Sequence, residues 1–194
     1  MCIECGCCQR NILSYHLVMK QLLMARQQQM DDDIDSQAIV NDFLSHQLSL
    51  KGYQWTPSVN QITNQQSSLT LSRQTEITDA LRTLGEEYMN QYGNEFDQMC
   101  EPLQLTPSTA YSIFLSISNE LFCEGIKWSH IVTYLVFGVE FALYTVQKGY
   151  PQLVSEISHW LSDYLNLHLI NWIKDHGGWV SSIVYYYLLN SFIE

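Results

Sequence analysis

Positive charge is scarce in this sequence. Nine lysines and arginines stand against 20 aspartates and glutamates in 194 residues, a formal net charge of -11 at pH 7 with histidine neutral. Phosphates would repel such a chain over most of its face, which argues against nucleic acid or an anionic membrane surface and favours a basic or apolar partner. A spaced cysteine framework is missing: Cys2, Cys5, Cys7 and Cys8 crowd the start, and only Cys100 and Cys123 follow. So is a basic head leading into an apolar stretch, because Glu4 and Gln9 interrupt the start; no secretory signal is expected, and the compartment reads as reducing and cytosolic. The longest apolar run, Ile131 to Val146, contains Thr133, Glu140 and Thr145 and falls short of the roughly 18 residues of a membrane span, so it reads as a buried core helix. The closing "VSSIVYYYLLNSFIE" is too short and too polar to span.

Catalytic patterns are lacking as well. His16, His46, His130, His159, His168 and His176, with Cys100 and Cys123, stand in no nucleophile–base or metal-ligand spacing, and no Gly-rich phosphate loop occurs. Neither catalysis nor a cofactor or metal is expected. The "CIECGCC" cluster has no second pair to complete a zinc site. It reads as a solvated tail, with reversible acylation into a membrane anchor as the alternative.

What is present is helical. With 46% hydrophobic and 15% charged residues, the chain suits one globular domain over 36–190 behind an N-terminal extension, 1–35. Apolar periodicity, bounded by Gly52, Gly125, Gly149 and Gly177 as stops and by Thr106-Pro107 as a start, predicts helices near 37–51, 76–99, 107–123, 128–147, 152–166, 168–176 and 179–190. No strand is convincing. Residues 56–75, rich in Gln, Asn, Ser and Thr, read as a mobile loop. Within the extension, residues 10–24 have a weakly basic amphipathic pattern carried by Ile12, Leu13, Leu17, Leu22 and Leu23. In "NWIKDHGGWVSS", Gly177 suits the left-handed position past a helix end, and Gly178 turns the chain again so that Trp172 and Trp179 bury against one body.

Four segments in order resemble the homology motifs of the Bcl-2 family. "DFLSHQLSLKGYQW" (Asp42 to Trp55) looks like the fourth motif, "ALRTLGEEY" (Ala80 to Tyr88) the third, "NELFCEGIKWSHIVTYLVFG" (Asn119 to Gly138) the first and "HLINWIKDHGGW" (His168 to Trp179) the second. The resemblance implies an all-α, Bcl-2-like bundle in which a hydrophobic central hairpin is wrapped by amphipathic helices that leave a surface groove. That groove takes the third-motif helix of pro-apoptotic relatives, a helix-in-groove mode. Its implied lining is Tyr88, Tyr92, Phe96, Met99, Leu121, Lys127, His130, Thr133, Phe137, Gly138 and Tyr186. Tyr88, Tyr92, Phe96, Met99, Leu121 and Phe122 also give two helices more apolar surface than one core face needs. Gly138, in mid-helix, signals close approach of another helix.

The resemblance is stronger to pro-survival members, which sequester death-motif helices; the alternative is a pore-forming executioner. Where pro-survival members carry Asn, Gly and Arg about the first-motif tryptophan, this chain has Lys127, Ser129 and His130, so the ion pair to the incoming aspartate is altered. The resemblance further implies a cytoplasmic protein associating with the mitochondrial outer membrane, here expected without a transmembrane tail. Peripheral membrane contact and homo-oligomers stay open. Lastly, "DDDIDS" (Asp31 to Ser36) resembles an executioner-caspase site ahead of the fourth-motif helix.

Overall fold

The computed structural model describes residues 34–57, 68–100, 104–179 and 181, with the side chains of 68–71 and 92–100 outside the description. Its helices are α1 (Ser36–Leu50), α2 (Ser68–Cys100), α3 (Ala110–Leu121), α4 (Trp128–Gln147), α5 (Leu153–Tyr164), a π-helical segment (Leu165–Leu169) and α6 (Ile170–Asp175). No strand occurs among the described residues.

Helix α4 is the axis. It is apolar on nearly every side, and the unbroken stretch from Tyr134 to Ala142 is buried, as a helix hydrophobic all round must be. It is longer than the apolar run seen in the sequence: its 20 residues could cross a membrane by length and composition, yet two-thirds of that window is buried inside the protein. Helix α5 returns alongside it after a tight turn closed by the bond from Tyr150 N–H to the Thr145 carbonyl, 2.9 Å. Helices α1, α2 and α3 each pack on α4, presenting Ile39, Val40, Phe43, Leu44 and Leu48 from α1, Ile77, Leu81 and Leu84 from α2, and Phe114 from α3.

Two glycines set how closely the helices approach. A Cβ on Gly138 would collide with the Leu161 side chain of α5, and one on Gly85 with the Phe43 ring of α1. The Gly177-Gly178 corner is a Schellman ending. Gly178 N–H donates to the Ile173 carbonyl at 2.8 Å and Gly177 N–H to that of Lys174 at 3.3 Å, with φ of 92° and 69° that only glycine adopts without strain. The chain reverses there, and Trp172 and Trp179 both meet Trp128, at ring separations of 5.7 and 6.2 Å.

Several boundaries differ from the periodic reading. Residues 68–75, expected in the mobile loop, belong to α2; helix propagation from the anchored Ile77–Leu84 stretch costs little, and Gln and Arg are good helix formers. The break expected between 166 and 168 is bridged by the π-helical turn. Helix α3 is assigned from Ala110, although the Thr106 hydroxyl still accepts from Thr109 N–H at 3.3 Å, so Thr106 caps a turn that precedes it. Residues 1–33 and the 179–190 helix beyond Ser181 lie outside the described residues. At the caspase-like run, Asp35 is the N-cap of α1, accepting from Gln37 N–H at 2.9 Å, and Ser36 is buried. The peptide bond a caspase would need is folded into a helix start, which corrects that expectation.

Gly138→Ala is expected to lower stability by about 1–3 kcal/mol through overpacking against the buried Leu161. Urea unfolding of Gly138→Ala, Leu161→Ala and the double variant checks this, with the double variant losing less than the sum of the two.

Candidate functional site: a groove beside α3

At 100° per residue, α3 carries a buried stripe, Ala110, Phe114 and Ser118, with two different flanks. Ile113, Ile117 and Leu121 form one flank and are half-buried; Tyr111 and Leu115 form the other. The Ile113–Leu121 flank continues into Phe122 and Ile126, half-buried side chains laid against the core edge. At the start of α4, His130 and Thr133 share a face and are half-buried, as is Tyr88 of α2. Ile113, Ile117, Leu121, Phe122 and Ile126 thus make a strip of incompletely covered apolar surface, the kind of surface on which an amphipathic helix docks.

The expected lining divides when located. Tyr88, Leu121, His130 and Thr133 are half-buried and Lys127 is exposed. Phe137 is not a surface anchor: only 1% of it is exposed, and it lies between Phe114 and Phe141 at 5.5 Å from each ring. It is core, and truncating it would cost the fold about 3–5 kcal/mol before any ligand is considered. Gly138 also departs from the expectation, because the helix that approaches it is α5 through Leu161. The side chains of Tyr92, Phe96 and Met99, and all of Tyr186, lie outside the described residues. Sequence reading passed over Ile113, Ile117 and Ile126. The 113–117–121 spacing was the available signal, but with Ala110 and Phe114 beside it, it did not announce a second face.

Electrostatics around the strip are acidic. Glu87, Glu120 and Glu124 are exposed beside Tyr88 and Leu121, with Lys127 and His130 as nearby bases. His130 Nδ1 lies 2.9 Å from the Gly125 carbonyl. A carbonyl only accepts, so Nδ1 carries the proton, and a neutral ring then offers Nε2 as an acceptor. Phe122 meets the imidazole edge-on at 6.3 Å. Deeper in, Tyr134 donates to the Leu161 carbonyl at 3.3 Å and Tyr164 to the Asn119 side chain at 3.2 Å. Burial raises the phenol pKa of both above the ordinary value, so they remain neutral hydrogen-bonding groups.

The third-motif stretch of α2 is clasped by α1. Arg82 reaches both carboxylate oxygens of Asp42, with Nε to Oδ2 at 2.9 Å, and also meets Asp79 at 3.1 Å. His46 meets Glu86 at 3.0 Å, and Gln47 donates to the Arg82 carbonyl at 2.9 Å. Ala80, Leu81 and Leu84 of that stretch, with Ile77 one turn before it, are buried.

Comparison with known proteins agrees with this architecture. Residues 81–179 match the family of apoptosis regulator proteins, Bcl-2 family. Human Bcl-2-like protein 1 is 32% identical over 188 residues, covering 76% of this chain and 81% of that protein. Chicken apoptosis regulator Bcl-2 is 40% identical over 107 residues, covering 55% of this chain and 46% of that protein. Among solved structures, trBcl-2L2 of Trichoplax adhaerens bound to trBak BH3 superposes with a TM-score of 0.66 at 26% identity, covering 78% of this chain and 96% of that one. The chain belongs to the Bcl-2 family of apoptosis regulators.

Arg82→Ala is expected to destabilise the fold by about 1–2 kcal/mol, the scale of a two-pronged charge-assisted pair that stays part-exposed. A double-mutant cycle with Asp42→Ala, read by urea unfolding, should return a coupling of the same sign; additive losses would mean the clasp contributes nothing.

Proposed function

We propose that this protein is a pro-survival regulator that holds the third-motif helix of a pro-apoptotic relative along the strip formed by Tyr88, Ile117, Leu121, His130 and Thr133. The observation that carries the reading is the half-buried apolar flank of α3, on a chain whose structural relative from Trichoplax is bound to a Bak BH3 helix. The similarity to Bcl-2-like protein 1 over most of both chains supports the pro-survival side. So does the clasped state of its own third-motif stretch, whose Leu81 and Leu84 are buried. The ligand is an amphipathic helix with apolar anchors at i, i+3/i+4 and i+7, and basic residues on it would suit Glu87, Glu120 and Glu124. Association with the mitochondrial outer membrane belongs to the same reading.

Titration of the full chain with a panel of third-motif peptides, beside a liposome-release assay, tests it. Tight binding without release is expected; peptide-triggered release would instead make the protein an executioner. Leu121→Asp places a charge in the strip and should weaken binding at least tenfold while the fold, checked by circular dichroism, stays intact.

His130 gives a second, sharper expectation. With Nδ1–H committed to the Gly125 carbonyl, a neutral ring presents a lone pair and no donor to an incoming carboxylate. His130→Arg supplies a two-pronged cationic donor and should tighten binding of a peptide bearing that carboxylate by about 1–3 kcal/mol. Calorimetry of one peptide with both proteins decides the matter: equal affinities would place His130 outside the contact.

A further inference from the structure

The other flank of α3 carries a second apolar surface that the groove does not use. Tyr111 and Leu115 face Trp160 and Asp163 of α5 across a cleft of about 340 Å³, with Leu167 and His168 of the π-helical segment at its border. Tyr111 meets the Trp160 ring edge-on at 5.2 Å. Single exposed apolar side chains are ordinary, but a cluster signals a contact surface. Among the described residues the exposed large apolar side chains are Leu50, Tyr111 and Leu167, and the last two, 51% and 74% exposed, belong to this one cleft. The π-helical turn places Leu167 there, outside its buried neighbours Leu165 and Leu169; such turns cost regularity and concentrate at functional positions. Along α5 and into that turn, Glu156, Trp160, Asp163 and Leu167 form a stripe of acid, aromatic, acid and leucine.

We propose that residues 10–24 of this same chain dock in that cleft as an amphipathic helix. On a helix of this segment Arg10, Leu13, Leu17 and Lys20 share one face, two leucines between two bases, opposite in charge to Asp163 and Glu156 of α5 and apolar like Tyr111, Trp160 and Leu167 of the cleft. The first 30 residues hold Arg10, Lys20 and Arg26 against Glu4 alone, within a chain of net charge -11. Where the described chain begins also fits. Ile34 is buried, and Gln37 at the start of α1 donates to Ser158 at 2.9 Å and meets His159 at 3.3 Å on α5. The chain therefore enters against α5, on the Ser158–His159 side and about 100–200° round the helix from Trp160. Residues 25–33 can span up to about 30 Å, more than the roughly 22 Å length of the helix they would deliver. Docking covers Tyr111 and Leu167 and leaves the Ile113–Leu121 flank of α3 free.

Hydrogen exchange of the full chain, read by mass spectrometry, tests this independently of any groove ligand. Amides of residues 12–24 should exchange about tenfold or more slowly than an unprotected chain. The protection should vanish in Leu167→Asp and in the Leu13→Asp/Leu17→Asp double variant. Exchange within α4 should stay unchanged in all three proteins, since Leu167 is exposed and its substitution leaves the core alone. Unprotected exchange at 12–24 in the wild type overturns the proposal, as does protection that survives Leu167→Asp. Protection that grows with protein concentration overturns it in favour of a second copy supplying the segment.

Discussion

Burial of α4 is the constraint on which the rest of this structure depends. A 20-residue helix apolar on almost every side cannot be left in water. At about 25 cal/mol per Å² of apolar surface, its exposure would outweigh the net stability of a domain this size. Every other packed helix can be understood as cover for it. Helix α5 lies along it through the Gly138–Leu161 contact, and α1, α2 and α3 each close another side.

Cover of this kind is never complete, and function arises at the remainder. Amphipathic helices around a cylinder meet at seams, and α3, short and flanked by seams on both sides, exposes part of each flank. One flank, carrying the half-buried Ile113, Ile117 and Leu121, is where the proposed helix from another protein would lie. The other, bordered by Tyr111, Trp160 and Leu167, lies along α5, the helix against which the protein's own N-terminal segment enters. The same bundle also sequesters Leu81 and Leu84 of its own third motif, through Phe43 against Gly85 and Asp42 against Arg82.

Much of this was legible in the residues. The periodic apolar positions of α1 and the bounds of α4 could be read directly because each has one strong pattern and a glycine after its end. The Gly177-Gly178 corner was legible because the left-handed position and the flanking tryptophans point to one geometry. What could not be read depended on partners distant in sequence. Phe137 has the type and spacing of a groove residue, but whether it faces a ligand or Phe114 and Phe141 is decided by how α3 packs. Gly138 announces close approach without naming the neighbour, which proved to be Leu161. The π-helical turn at 165–169 leaves no periodic signature, so Leu167 looked like the break between two helices rather than the border of a cleft. Residues 68–75 looked like loop by composition, whereas the helix they extend is anchored further along.

The central claim is that the two flanks of α3 serve different ligands, with the death-motif helix taken only on the Leu121 side. Backbone amide shifts of isotopically labelled full chain, followed during addition of a Bak-type third-motif peptide, test this most directly. Large changes are predicted at Tyr88, Ile117, Leu121, His130 and Thr133, while Tyr111, Trp160 and Leu167 stay in place. Changes gathered on Tyr111, Trp160 and Leu167 instead, with the Leu121 flank silent, would contradict it.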